Sequence, residues 1–296
     1  MKFFLVGLLT LLTTLSIPNE QKQLLIRTDD VGMSHSVNMA VKTLTETGMP
    51  FSASVMFACP WYQEAVDILK DQPQVTVGIH LTLNAEWKNY RWGPVAGKSA
   101  VPSLVDEFGF FFPSRATLYE NEPTLEDIET ELRAQVERAI NSGLNIRYVD
   151  YHMGTAVDKP EYRALLEDLA VEYKLAISRY YGEVDVESMY AAPIAQKKET
   201  LLNTTQSLKS GQFNLLVTHV GYDDDELGAM VDLNPFGPPN MSKHRNAELD
   251  ALVSDEFRKM LNEENIELLN YADLIDEFGI EGMVSPVTPG LKIYQN

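Results

Sequence analysis

The sequence predicts an α/β fold, namely a single-domain irregular (βα) TIM-like barrel with long loop insertions. Three observations lead to this prediction. Apolar, strand-like runs alternate with stretches of helical spacing along most of the 296 residues. No linker or change in composition divides the chain into parts. Several apolar runs end in Asp or His, which is typical of parallel α/β folds, because their sites lie at the carboxyl ends of the strands.

The first βα units are recognised from hydrophobic periodicity and from the residues that end it. Val37, Ala40, Val41 and Leu44 recur at helical spacing, and Gly48 ends that helix, since glycine readily takes the left-handed conformation of a helix end. The predicted elements are strands over 24–28, 51–58 and 75–81 and helices over 34–47 and 61–70. The alternation stops over 84–121, a long irregular insertion of the kind that is usually functional or a lid.

The alternation resumes after residue 121. Thr124 begins a helix with a start like a capping box, Gly143 ends it, and Pro160 opens the next helix. The predicted elements are helices over 124–141, 160–173, 199–210, 246–262 and 271–278 and strands over 146–150, 175–178, 213–219 and 266–269. A second irregular loop covers 221–242. Repeated βα units of this kind favour one closed or nearly closed barrel.

Residues 1–18 have the layout of a secretory signal peptide. Lys2 supplies an early positive charge, an apolar run follows, and small residues stand at Thr14 and Ser16. The apolar run is shorter than the roughly 20 residues of a membrane span; an uncleaved anchor and a first buried strand are the alternatives. We therefore predict a signal peptide over 1–18, a folded domain over 19–296, and an exported protein, periplasmic or extracellular, without stable membrane insertion after signal cleavage.

Composition restricts the partners. The formal charge of −19, with an isoelectric point near 4.6, disfavours nucleic acid and anionic membranes, because phosphate binding needs a basic surface. A neutral or cationic substrate fits better. Cys59 is the only cysteine, so no intrachain disulfide can form, and we expect it to be a buried structural thiol. The sequence does not determine an oligomeric state.

Four predicted strands end in ionisable side chains. Asp29 and Asp30 follow the first strand, and His80, His152 and His219 stand at the ends of three later ones. Because the carboxyl ends of parallel strands meet at one end of a barrel, we expect these side chains to converge. The carboxylate of Asp30 with the imidazoles of His80 and His152 can hold a divalent ion and leave positions for water and substrate. The pattern predicts a metal-dependent hydrolase.

Alternatives remain open for individual residues. Adjacent residues of a strand point to opposite faces, so Asp29 and Asp30 can serve one site only if the chain turns out of the strand, as Gly32 indicates. Otherwise Asp30 would cap the helix that starts near Ser34, and Asp29 would be solvated. Each histidine by itself is also explained as a buried core residue. His219, placed opposite the metal, would be suited to protonating a leaving nitrogen.

Further polar residues have two interpretations each. Asp150 would orient an imidazole or make a structural hydrogen bond, and Arg245 would pair with Asp29, with Asp223 or with a surface carboxylate. We expect His35 to be exposed or to act as a local cap, and His244 to be at the surface or to face the substrate. The acidic run 223–226 is predicted to be a solvated turn, with a second cation site as the alternative. The aromatic residues of the first insertion would stack on sugar rings or pack the insertion onto the barrel; they include Trp87, Tyr90 and Trp92.

These segments resemble the YdjC-like carbohydrate deacetylase family, which is related to polysaccharide deacetylases with an irregular βα barrel. The resemblance covers residues 24 to 278. The matching segments are Asp-Asp-Val-Gly at 29–32 (family Asp-Asp-Phe-Gly), Gly-Ile-His-Leu at 78–81 (Gly-Leu-His-Leu), Asp-Tyr-His at 150–152 (Asp-x-His), His-Val-Gly-Tyr at 219–222 (His-Pro-Gly-Tyr) and Arg-Asn-Ala-Glu-Leu at 245–249 (Arg-x-x-Glu-Leu). The chain departs from the family at Gly154, where a second His is common, at Val220, where proline is usual, and at Val31.

The resemblance implies a metal-dependent hydrolase that removes N-acetyl groups from amino-sugar oligosaccharides, with 19–296 as its catalytic domain. Asp30, His80 and His152 would be the metal ligands, Asp29 the base, and His219 the acid or oxyanion-side partner. One divalent metal ion is implied, with zinc and magnesium as first candidates and manganese, cobalt and iron as others. Water activated by the metal would attack the acetyl carbonyl, Asp29 would accept the proton, and His219 would protonate the departing amine.

Two other functions remain as alternatives. The same metal site would also serve an amidase or an O-acetyl esterase that acts on another substrate. A non-catalytic glycan-binding protein would keep the pocket without turnover. A glycosidase is disfavoured, because its two carboxylates stand about 5 to 9.5 Å apart across the sugar bond, which neighbouring residues hardly satisfy.

Overall fold

A curled, all-parallel sheet of eight strands forms the centre of the molecule. The computed structural model describes residues 21–235, 237–288, 290 and 292–293, so the predicted signal segment 1–18 lies outside the described residues. The strands are β1 (Lys22–Val31), β2 (Phe51–Val55), β3 (Val75–Leu81), β4 (Ile146–Tyr151), β5 (Ala176–Ile177), β6 (Val184–Asp185), β7 (Phe213–Thr218) and β8 (Ile266–Leu269).

The strand β1 organises the sheet. β7 pairs with β1 along one side, while β2 and β8 share the other side, β2 beside its carboxyl-terminal half and β8 beside its amino-terminal half. The order β5-β4-β3-β2-β1-β7-β6 leaves β5 and β6 at the edges, and no pairing joins these two strands in the described part of the chain. The predicted single-domain α/β architecture with a TIM-like (βα) fold is confirmed. The expectation of a closed or nearly closed barrel is wrong, because the unpaired edges leave the sheet of the described residues as a half-barrel.

Ten α-helices connect or cover the strands in the described residues. They are α1 (His35–Glu46), α2 (Tyr62–Leu69), α3 (Arg115–Glu120), α4 (Leu125–Ile140), α5 (Pro160–Tyr173), α6 (Lys197–Gln206), α7 (Asp225–Gly228), α8 (Met241–Leu252), α9 (Asp255–Glu263) and α10 (Tyr271–Phe278). The prediction of one helix over 246–262 is wrong. Ser254 has an extended backbone and its side chain accepts a hydrogen bond from the Phe257 amide, so it caps a new helix, α9, and separates it from α8.

The two irregular insertions pair with each other. Residues 86–88 and 231–233, which we call the paired insertions, form an antiparallel bridge between Trp87 and Asp232. The amide of Leu233 donates to the carbonyl of Glu86 at 2.8 Å, and the amide of Lys88 donates to the carbonyl of Val231 at 2.9 Å. These backbone hydrogen bonds tie together two segments that are more than 140 residues apart in the sequence.

The cysteine lies in the core. Cys59 is a free, buried thiol, as predicted. Of the helices in the described ranges, none is both long and apolar enough to span a bilayer.

The first insertion is attached to the barrel by a buried carboxylate. Glu131 of α4 accepts hydrogen bonds from the amides of Val95 and Ala96, both at 2.9 Å, and from the side chain of Gln135 at 2.7 Å.

We expect Glu131 to make stability depend on pH. Burial raises the pKa of Glu131 to about 7 from 4.5, although its hydrogen bonds oppose the change. Between these pH values the native state holds a proton that the unfolded chain has released, so stability falls as pH rises through this window. The difference in unfolding free energy between the wild type and Glu131→Gln should then change by about 3 kcal/mol across it. Denaturant unfolding at several pH values measures this; a constant difference would contradict the prediction.

Candidate metal centre

The end of β1 brings both of its carboxylates into the interior. Asp30 has a φ of 61°, in the left-handed region, and the pairing of β1 with β2 shifts register between Thr28 and Val31. This irregularity breaks the alternation of an ordinary strand, so Asp29 and Asp30 both line the same cavity. Both are buried, and the cap of α1 is Ser34, whose hydroxyl accepts from the Val37 amide. The alternatives of a solvated Asp29 and a capping Asp30 are therefore wrong.

Asp30, His80 and His152 lie together at the base of this cavity. Asp30 Oδ1 is 3.4 Å from His80 Nε2 and 3.2 Å from His152 Nδ1, and the two nitrogens are 3.3 Å apart. Ligands bound at about 2.0 to 2.1 Å in a tetrahedral site are separated by about 3.4 Å. Asp30 Oδ1 is also buried, and none of the described residues gives it a hydrogen bond. The predicted set is thus brought together, and its donors fit a divalent ion.

A carboxylate holds the far nitrogen of each imidazole. Asp150 Oδ1 is 2.8 Å from His80 Nδ1, and Glu86 Oε2 is 3.0 Å from His152 Nε2. Such contacts fix the ring orientation and favour the tautomer whose other nitrogen is free to bind a metal. Both interpretations of Asp150 hold, because its Oδ1 contacts an imidazole and its Oδ2 accepts a hydrogen bond from the Ser54 hydroxyl at 2.8 Å. Glu86 was not identified from the sequence.

The electrostatics of the centre favour a cation. Burial disfavours the charged form of His80, but the charges of Asp150 and Asp29 outweigh it and raise the pKa to about 9. Burial acts in the same way on His152, and Glu86 and Asp30 raise its pKa well above the usual value. Carboxylates that attract protons this strongly also attract a metal ion, which competes with the protons for the same nitrogens.

Asp29 is held by a buried arginine that was not predicted. Arg27, two residues earlier on β1, bonds Asp29 through Nε and Nη2, both at 2.7 Å. Burial opposes ionisation of Asp29, but the positive charge of Arg27 prevails and lowers the pKa to about 2. Arg27 Nε also lies 2.9 Å from Asp150 Oδ2, so one guanidinium links the Asp29 carboxylate to the residue that orients His80.

His219 lies at the end of β7 and lines the same cavity. Its backbone amide donates to Glu248 Oε2 at 2.8 Å, and Lys197 Nζ pairs with Glu248 Oε1 at 3.0 Å. Nδ1 of the imidazole is buried and has no hydrogen-bond partner in the part of the chain that the structure describes, and burial lowers the pKa of His219. The side chain is thus not a core histidine bonded to the backbone, because only its main chain is bonded.

Arg245 belongs to the centre. It is buried, and its Nη2 lies 2.5 Å from Asp30 Oδ2. The predicted partners Asp29 and Asp223 and the surface salt bridge are wrong, because α8 begins at Met241 and turns its Arg245 face towards the barrel. Burial opposes ionisation of Asp30, yet Arg245 and the two imidazoles lower the pKa of Asp30 well below its usual value.

The cavity above the centre has a volume of about 620 Å³. Of the three aromatic residues singled out in the insertion, only Trp87 lines it. Tyr90 donates its hydroxyl hydrogen to the carbonyl of Met33, and Trp92 is buried. For Tyr90 and Trp92, packing of the insertion onto the barrel is therefore the correct alternative.

The acidic run 223–226 has a structural role. Asp224 caps α7 and accepts from the Ser36 hydroxyl at 2.7 Å, and Glu226 accepts from the Ser36 amide at 2.7 Å. His35 is half exposed and contacts Glu64, as expected for an exposed residue at a helix start. His244 does not line the cavity over the centre.

A half-barrel with a buried Asp-His-His set open to a cavity defines an α/β protein with a candidate metal centre at the carboxyl ends of its strands. The chain belongs to the family described as YdjC-like protein, whose model matches residues 23–263. A carbohydrate deacetylase of Thermoanaerobacter pseudethanolicus is 27% identical over 269 residues, which cover 86% of this chain and 99% of that protein. A carbohydrate deacetylase of Brevibacillus brevis is 25% identical over 266 residues, covering 85% and 99%. The crystal structure of an Enterococcus faecalis protein shares the fold, with a TM-score of 0.69, 23% identity and coverage of 86% and 99%.

Proposed function

We propose that the protein is a metal-dependent hydrolase that removes N-acetyl groups from amino-sugar oligosaccharides. The observation that carries the proposal is the buried triangle of Asp30, His80 and His152, open to a cavity and flanked by Asp29. Membership of the YdjC-like family, and relatives named carbohydrate deacetylase, support the removal of acetyl groups from a sugar substrate. Location outside the cytoplasm stays a prediction from the N-terminal segment.

The residues around the triangle have separate tasks. The triangle would hold a divalent ion, zinc or magnesium in the first instance, which would supply Lewis acidity and lower the pKa of a water molecule bound there. Asp29 is ionised, since Arg27 keeps the pKa of its carboxyl low, and this carboxylate accepts the proton of the attacking water. His219 donates a proton to the departing nitrogen, for which it must first be protonated. Asp150 and Glu86 hold the two imidazoles in orientation.

Acetate release tests this proposal. The mature protein is stripped with a chelator, supplied with single divalent metals, and assayed on N-acetylated oligosaccharides, with His80→Ala as the control. We expect no release without metal, release restored by one or more metals, and none from the variant. Metal binding without any acetate release would overturn the substrate assignment. It would favour an amidase or O-acetyl esterase of another substrate, which product analysis separates, or a glycan-binding protein.

A further inference from the structure

The charged side chains of the cavity are paired with opposite charges, with one exception. The pairs are Asp29 with Arg27, Asp30 with Arg245, Glu86 with the imidazole of His152, and Arg115 with Asp158. The exception is Asp232, which lines the cavity and has no cationic partner within ion-pair distance in the described part of the chain. The cavity wall therefore carries one uncompensated carboxylate.

One carboxylate oxygen of Asp232 accepts hydrogen bonds within the protein, and the other accepts none from the described residues. Oδ1 accepts from the Asn234 amide at 2.7 Å and from the Asn234 side chain at 3.1 Å, which fixes the local turn. Oδ2 makes no hydrogen bond to any described residue. Gly237 lies against Oδ2. A Cβ atom at position 237 would overlap this oxygen, so a glycine is needed there to leave room for it.

A second carboxylate lies near Asp232. Asp232 belongs to the paired insertions, bridged to Trp87 and therefore next to Glu86, a second carboxylate that lines the cavity. Burial and the charge of Glu86 raise the pKa of Asp232. A ligand group that carries positive charge would relieve this repulsion and form a charge-assisted hydrogen bond with Oδ2, whereas a neutral hydroxyl would give only the hydrogen bond.

We propose that Asp232 binds the ammonium group of an amino sugar, so that the preferred substrate is a partly deacetylated oligosaccharide, with a free amine on the sugar next to the acetylated one. This inference rests on the proposed function for the neighbouring acetyl group. The cavity volume lies within the range of small-molecule sites. The acidity of the whole chain favours the same cationic class of ligand.

Binding of two disaccharides tests the inference independently of turnover. The probes are the glucosamine disaccharide, which has two free amines and no acetyl group, and its di-N-acetylated form. Calorimetry is run at slightly acidic pH, where the amines are protonated. We expect Asp232→Asn to weaken binding of the glucosamine disaccharide about tenfold or more, the effect of losing a hydrogen bond to a charged group. Binding of the acetylated disaccharide should change little.

The control is Asp225→Asn. Asp225 is an exposed carboxylate of α7, in the same insertion, and it does not line the cavity over the centre. This substitution should leave both affinities unchanged. Equal weakening of both probes by Asp232→Asn, or no preference of the wild type for the amine, would overturn the inference. Because the glucosamine disaccharide has no acetyl group to lose, its binding is measurable even if no acetate release occurs, so the two proposals fail separately.

Discussion

Asp29→Asn is expected to lower kcat for acetate release by about 10²- to 10⁴-fold, the usual contribution of a general base, while metal binding persists. Asparagine keeps the shape of the side chain but cannot accept the proton of the attacking water. Arg27 would still have an anionic partner, because Asp150 Oδ2 lies 2.9 Å from its Nε. The variant should therefore fold, and its metal affinity should be retained, since Asp29 is outside the Asp30–His80–His152 triangle.

The matched control is Asp185→Asn. Asp185 also accepts two hydrogen bonds from one guanidinium, that of Arg179, at 2.8 and 2.7 Å, but it does not line the cavity over the centre. The measurements are kcat and KM with metal-loaded protein, and metal stoichiometry. Two results would contradict Asp29 as the base: a wild-type kcat for Asp29→Asn, or an equal loss of kcat in Asp185→Asn.

Much of the fold follows from local signals. The predicted bounds of β3, α5, β8 and α10 agree with the structure, because apolar patterning and boundary residues such as Pro160, which opens α5, mark where elements begin and end. Five residues of the site could be proposed together because each follows an apolar strand. They are Asp29, Asp30, His80, His152 and His219. The carboxyl ends of parallel strands lie at the same edge of a sheet, so the position of each residue directly after a strand predicted that these side chains would lie close together.

Residues that act only through tertiary contacts could not be predicted. Glu86 and Asp232 lie in irregular insertions without periodicity, and only the backbone pairing of those insertions brings them to the cavity. Arg27 is in mid-strand and Lys197 begins a helix, positions where a charged residue is usually exposed. Their burial is compensated by carboxylates, those of Asp29 and Asp150 for Arg27 and that of Glu248 for Lys197. The sequence contains these residues but not the contacts that define their role.

Lys197→Met is expected to lower the free energy of unfolding by about 3 to 5 kcal/mol, the cost of leaving one partner of a buried ion pair uncompensated. Lys197 is fully buried, and its ammonium group donates to Glu248 Oε1 at 3.0 Å and to the carbonyl of Met189 at 2.7 Å. Methionine fills the space of the aliphatic part, so the loss comes mainly from the unpaired Glu248 carboxylate. Denaturant unfolding measures the effect.

Two further variants separate charge from packing. In Lys197→Met with Glu248→Gln the buried charge is gone, and the glutamine carbonyl can still accept from the His219 amide, so the double variant should be more stable than Lys197→Met alone. Lys198→Met removes a neighbouring, half-exposed lysine that pairs with Glu256, and it should change stability little. If Lys197→Met were no worse than Lys198→Met, the buried pair would not hold the end of β7. The kcat of the double variant is measured as well. If its stability were recovered but its kcat were lower than that of the wild type, the charge of the pair would position His219 in addition to stabilising the fold.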